Sequence, residues 1–384
     1  MTMPSTTGGQ IAVFLTNTAR VLDLPPQLHA AADREYHNVG QFLADQSTQT
    51  DWDVYPQGSF RLGTVVRPLA GAETFDLDMV CQRNIDKTSA SQAELKAQIG
   101  DALERYIDGA DGEQGAPTSC EDSRRCWTLH YPIEFHMDVL PAIPDRDAGG
   151  TSILLTDKKL TRWQHSDPIA YADWFREQMK RELLEKKAVL ASETRKSIEE
   201  IPDWEVKTVL QQLVQVLKVH RDLHFLDDFD DRPPSILITT LAAGAYDGGR
   251  DLFQAVLHAV AAMPSLIEHS DHGPRVMSPV ADENFADKWS EYPQREAKFR
   301  AWLDRVGADL EAAASVTRLD RVVARLGESF GVEPLRKAAA MAGVETRELR
   351  EAGRLTTIGG AALLSTSTAG KPVAPHGFFG AAEI

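Results

Sequence analysis

Two aspartates one residue apart, Asp76 and Asp78, stand in the run Phe75-Asp76-Leu77-Asp78-Met79-Val80. Alternate side chains of a strand share a face, so both carboxylates point one way while Phe75, Leu77 and Met79 point the other. A later run, Ile133-Glu134-Phe135-His136-Met137-Asp138-Val139-Leu140, repeats the alternation and adds Asp138 to a polar face with Glu134 and His136. Carboxylates this close repel one another unless a cation lies between them. Mg²⁺ suits such oxygen donors and takes substrate phosphate oxygens as well. Taken alone, an Asp-x-Asp strand is more often a half-exposed edge. The third carboxylate shifts the balance toward a metal site. So does Gly58-Ser59, a tight turn whose backbone N–H groups and hydroxyl suit a phosphate.

Elements must hold these residues in place. Helices are expected over 11–22 and 25–45, the second with Pro25 and Pro26 in its first turn. Residues 52–81 read as strands, 92–107 as a helix, and 126–131 and 133–140 as two further strands. With Ser166 or Asp167 as cap and Pro168 at the first helical position, a long polar helix runs to about 198. Asp203 is expected to cap the next helix, in which Val206, Val209, Leu210, Leu213 and Leu217 recur at helical spacing. An apolar helix over 235–246 and several amphipathic ones follow, and the chain ends in Gly, Ala, Ser and Thr with little charge. A mixed α/β unit followed by a helical one predicts an α+β fold rather than a doubly wound parallel sheet.

The 384 residues carry 41 Lys+Arg against 57 Asp+Glu, a formal charge of −16. Such an anion is ill suited to a stable nucleic-acid complex built on many phosphate contacts. No apolar run reaches the ~18 residues of a membrane span, so a cytoplasmic protein is expected. Three cysteines are too few for a disulfide framework. His220 and His224 have the spacing of a two-histidine zinc face but lack the accompanying glutamate, so packing is the better reading. Of the aromatics Trp163, Tyr171, Trp174 and Phe175, most belong to a core, with Tyr171 the choice for stacking on a base. Arg61 either reaches a phosphate or pairs with a nearby acid.

Gly-Ser, then Asp-x-Asp, then a further Asp on a later strand resembles the DNA polymerase β-like nucleotidyltransferase superfamily. The wording PQGSFRLGTVVRP, FDLDMV, FHMDVLPAIP and SPVADENFADKW resembles the bacterial cGAS/DncV-like nucleotidyltransferases over roughly residues 10–350. The resemblance implies a polymerase β-like core with a mixed twisted sheet, and a helical lobe that closes the cleft. The expected division is 1–165 for the core with its N-terminal helices, 166–352 for the lobe and 353–384 for a flexible tail.

It also implies a cyclic di- or oligonucleotide signal, such as cyclic GMP–AMP, made from ATP and GTP in anti-phage defence. Asp76, Asp78 and Asp138 would hold Mg²⁺, with Mn²⁺ as an alternative, and Gly58 and Ser59 the donor's β- and γ-phosphates. Lys218 in VLKVHRD would neutralise triphosphate charge, unless it is a solvated helix lysine. Ser235 in PPSILITTL would meet an anion at a helix start, unless it is a plain cap. Asn284 or Asp282 would lie near the acceptor nucleotide. A cyclic-nucleotide-activated effector and a ubiquitin-transfer-like partner at the C-terminus are implied too, although the tail ends in Ile384 rather than a small residue. Two other readings remain at this point. One is a nucleotidyltransferase acting on a protein, RNA or small molecule. The other is an inactive nucleotide-binding sensor, which three mutually repelling acids argue against.

Overall fold

The computed structural model describes residues 7–45, 52–67, 74–89, 91–110, 115–123, 126–132, 135–156, 163–316, 318–358, 363–365 and 371–373. Helices α1 (Thr7–Leu22) and α2 (Pro26–Asp45) lead into β1 (Trp52–Gln57), the short helix α3 (Gly58–Leu62) and β2 (Phe75–Arg83). Next come α4 (Gln92–Gly109), β3 (Ser119–Asp122), β4 (Trp127–His130), β5 (Phe135–Pro144), β6 (Ile153–Leu155) and β7 (Gln164–Ser166). The sheet runs β1-β2-β5-β4-β3, with β6 paired to β5 and to β7. Only β2 and β5 are parallel among these pairs, and the others are antiparallel. This is the mixed sheet of an α+β core.

Alternation decides which face of the sheet is covered. Leu77, Met79, Met137, Val139 and Leu129 are buried against Ala32, Val39, Leu95, Ile99 and Leu103 of α2 and α4. Burying each large apolar side chain contributes about 1.5–3 kcal/mol, so the register of β2 and β5 is strongly specified. A slip of one residue would exchange this face for the acidic one. Ser91 and Glu94 close a capping box at the start of α4.

Helix α5 (Pro168–Thr194) is capped by Asp167, which accepts from the Ala170 N–H. Helix α6 (Val209–His224) follows, buried almost all round. Its cap is Thr208, not Asp203. Thr208 and Gln211 form a reciprocal capping box, and the Glu182 carboxylate accepts from Val209 N at 3.0 Å. Asp203 instead opens a single 3₁₀ turn and pairs with Arg176 and Lys187. Then come α7 (Ser235–Ala245), α8 (Leu252–Ala262), the hairpin of β8 (Glu268–Ser270) with β9 (Gly273–Arg275), and α9 (Gln294–Ala314), α10 (Leu319–Phe330) and α11 (Val332–Glu351).

One large core joins α6 through α11 with the start of α5. Helix α1 shares it through Ile11, Phe14 and Leu15, so the first helix packs with the lobe although the sequence groups it with the sheet. Within the stretch expected to be a flexible tail, β10 (Thr356–Ile358) pairs with β11 (Leu363–Ser365) and β12 (Lys371–Pro372). The residues after 373 lie outside the described residues.

Candidate active site

Strands β2 and β5 place Asp78 directly beside Asp138, and Asp76 beside His136. Ile133 and Glu134 lie outside the described residues. Asp76 is exposed, whereas Asp78 and Asp138 are half-buried. Burial, then the charges of Asp138 and Asp76, push the Asp78 carboxyl up to about 7. Lys218 and His136 oppose that rise. The uncompensated negative charge is what a bound cation would relieve.

Each flanking carboxylate has a protein partner. His136 Nε2 lies 2.8 Å from Asp76 Oδ1, and this contact raises the imidazole pKa. Thr74 Oγ1 holds the other ring nitrogen at 2.6 Å. The Thr128 hydroxyl donates to Asp138 Oδ1 at 2.6 Å. With two carboxylates so turned, no three His, Cys, Asp or Glu side chains among the described residues gather tightly enough to enclose an ion. The hard oxygen donors on one face and the raised Asp78 pKa nevertheless fit a divalent cation, for which Asp76, Asp78 and Asp138 would be the ligands.

Gly58 follows Gln57, the register partner of Asp78. Its φ is +61°, and a Cβ there would lie 2.0 Å from Asp78 Oδ2. Gly58 opens α3, where the sequence suggests a turn. The Ser59 hydroxyl has no hydrogen-bond partner among the described residues. Arg61 points elsewhere: it donates to the Pro56 carbonyl at 3.2 Å, bracing the end of β1 rather than pairing with an acid.

Polar side chains on and just before α6 grip the segment after α3. Lys207 Nζ donates to Gly63 O (2.9 Å), Gln211 to Leu62 O (3.0 Å), Gln215 to Val65 O (2.8 Å) and Lys218 to Thr64 O (3.0 Å). Four consecutive carbonyls are thus met by side chains three or four residues apart, which share a helix face. Lys218 is therefore buried rather than solvated. Burial, then Arg221, lower its pKa to about 7 against the pull of Asp222, Asp78 and Asp76. Beside it Arg221, also buried, donates to Pro233 O (3.1 Å) and to Ser235 Oγ (2.9 Å). Ser235 makes no capping bond.

Other expectations meet corrections. Tyr171 offers no ring to a base: it is 7% exposed, packs edge-on to Phe285, and its hydroxyl lies 2.8 Å from Thr240 Oγ1. Asn284 is spent on its own loop, accepting from Val276 N and Ala286 N. His220 packs as expected, accepting from Trp302 Nε1 at Nδ1 and facing Asp309 through Nε2. Sequence reasoning missed Thr128, Gln211, Gln215 and Arg221. Of these only Gln211 had a local signal, the Thr-x-x-Gln of a capping box.

Residues 14–178 match the model of the Second Messenger Oligonucleotide or Dinucleotide Synthetase domain. A c-di-GMP synthase from Roseivirga ehrenbergii is 25% identical over 386 residues, spanning 99% of this chain and 100% of the relative. Both matches point to the bacterial cGAS/DncV-like nucleotidyltransferases. Among solved members, Bradyrhizobium diazoefficiens CdnG in complex with GTP superposes with a TM-score of 0.67 at 18% identity, covering 87% of this chain and 99% of that one. The GTP-bound form of Vibrio cholerae DncV gives 0.55 at 17%, covering 84% and 79%. These two share the nucleotidyltransferase fold with the present chain. Enzymes of this family use divalent metal ions, which the acidic face fits. No helix among the described residues is long and apolar enough to cross a membrane.

Proposed function

We propose that this nucleotidyltransferase is a Mg²⁺-dependent synthase that joins nucleoside triphosphates, at least one of them GTP, into a cyclic dinucleotide. The observation that carries the reading is the register of Asp78 against Asp138 across parallel strands, with Gly58 packed on the Asp78 carboxylate. GTP is favoured by the c-di-GMP synthase relative and by the GTP-bound neighbours. Cyclic GMP–AMP is the heterodimeric alternative within the same reading. The product would signal to a cyclic-nucleotide-activated effector in anti-phage defence, in the cytoplasm.

In this mechanism Asp76, Asp78 and Asp138 would hold the cations. When bound, these would supply positive charge to the reacting phosphate and the attacking hydroxyl. Gly58 and Ser59 take the donor's β- and γ-phosphates, and the free Ser59 hydroxyl supports that role. Lys218 adds charge behind the phosphates, and Arg221 fixes Ser235 at the start of α7. Nucleotidyl transfer releases pyrophosphate, and a second transfer closes the ring. The side chains on and before α6 hold the carbonyls of residues 62–65 and so tie the lobe to the segment that follows Ser59. The lobe, about 166–352, would close the cleft over the sheet.

The test is incubation with Mg²⁺ and each triphosphate alone or in pairs, followed by phosphatase treatment and mass spectrometry. A phosphatase-resistant product with the mass of a cyclic dinucleotide containing guanylate is expected. Turnover only when a protein, RNA or small-molecule acceptor is added would overturn the reading.

A further inference from the structure

Antiparallel pairing of β4 with β5 sets Thr128 opposite Asp138. Thr128 is 7% exposed, and its hydroxyl proton goes to Asp138 Oδ1 at 2.6 Å. The same oxygen lies 2.9 Å from Ser123 Oγ. With its own proton committed to a carboxylate, Thr128 accepts from Ser123. Ser123 is in turn anchored through its backbone carbonyl, which accepts from Lys96 Nζ at 2.7 Å.

We infer that Thr128 is a positioning residue for Asp138: with Ser123 behind it, its hydroxyl engages one carboxylate oxygen and fixes the direction in which Asp138 meets a divalent cation. This rests on the assignment of Asp138 as a ligand, and goes beyond it by naming the neighbours that aim it. A freely rotating carboxylate would have to be ordered when the ion binds. A carboxylate already held by a buried hydroxyl meets less of that cost. Removing an outer hydrogen bond to a metal ligand typically lowers metal affinity or activity about 10–100-fold.

The experiment titrates Mn²⁺ alone into the full chain and follows the free-ion electron paramagnetic resonance signal, so no turnover is required. Wild type, Thr128→Val and Thr128→Ser are compared, with melting temperatures to show that each is folded. Valine keeps the shape and loses the hydroxyl, whereas serine keeps the hydroxyl. Expected are Mn²⁺ binding about 10–100-fold weaker in Thr128→Val and near wild-type binding in Thr128→Ser. In an Asp138→Asn background, Thr128→Val should add little, because both changes act on one ligand. Equal binding by wild type and Thr128→Val, or equal loss in the serine and valine variants, would overturn the inference. If the Mn²⁺ pattern holds while wild type forms no cyclic product, the synthase reading fails and this one stands.

Discussion

Gly58 and Asp78 are packed so closely that a Cβ on residue 58 would sit 2.0 Å from the Asp78 Oδ2 atom. The glycine is also held at φ +61°, where other residues are strained. Gly58→Ala must therefore move either the chain or the carboxylate. We expect synthesis to fall at least ~100-fold, since a ~1 Å misplacement at a reacting centre costs about that much. Stability should fall by only about 1–2 kcal/mol, the cost of a left-handed residue. Initial rates and thermal melts on the same preparation check both. An active Gly58→Ala enzyme would mean that Asp78 need not hold its place.

Lys218 is a buried amine held by Thr64 and facing the field of Asp76 and Asp78. Lys218→Met keeps the bulk and removes the charge. If the amine steadies the triphosphate, KM for the nucleotide should rise about 10–100-fold, the equivalent of a charged hydrogen bond worth roughly 1.5–3 kcal/mol. Lys218→Arg should not rescue it, because a planar guanidinium does not fit a site shaped around one buried ammonium. Steady-state kinetics over a range of nucleotide concentrations separates KM from kcat. An unchanged KM removes Lys218 from the phosphate site.

His220 gives a pH prediction remote from the acidic face. It is 2% exposed, accepts from Trp302 and faces Asp309, and burial lowers its pKa from 6.5 to about 4. The folded state therefore binds this proton less readily than the unfolded chain. The resulting stability is complete above pH 6.5 and is lost as pH falls toward 4. By pH 5 the loss should be about 2 kcal/mol. In urea denaturation at pH 7.5 and pH 5, wild type should lose this much more than His220→Gln, in which the titration is absent. Equal losses would show that His220 is not the group responsible.

Alternation alone made the shared polar face of Asp76, Asp78 and Asp138 legible, because a buried face opposite a polar one leaves each side chain a single orientation. The start of α5 was legible for a local reason too: Pro168 marks the first turn, and of the two possible caps, Ser166 and Asp167, the structure takes Asp167. Local signals failed where two candidates competed. Asp203 precedes the whole apolar run from Val206, yet Thr208 wins the cap because it stands directly before Val209 and Gln211, three residues beyond it, completes the reciprocal bond. What the sequence could not yield depends on pairings far apart in the chain. Thr128 matters only because β4 lies beside β5, and Lys218 is buried only because α6 meets the segment after Gly58. Tyr171 shows the reverse error: an aromatic beside a functional motif was consumed by the core. Helix α1 was grouped with the sheet by position, whereas its apolar face had to go where the matching apolar surface lay.

On the proposed mechanism the three aspartates carry out nucleotidyl transfer on triphosphates without any added acceptor. Pyrophosphate release from GTP, alone and with ATP, measured with Mg²⁺ and with EDTA for wild type and for the Asp76→Ala/Asp78→Ala double variant, tests it most directly. Wild type should release pyrophosphate in a Mg²⁺-dependent way, matched by cyclic product, with release at background in the double variant and in EDTA. Release by the double variant at the wild-type rate, or undiminished in EDTA, would contradict it.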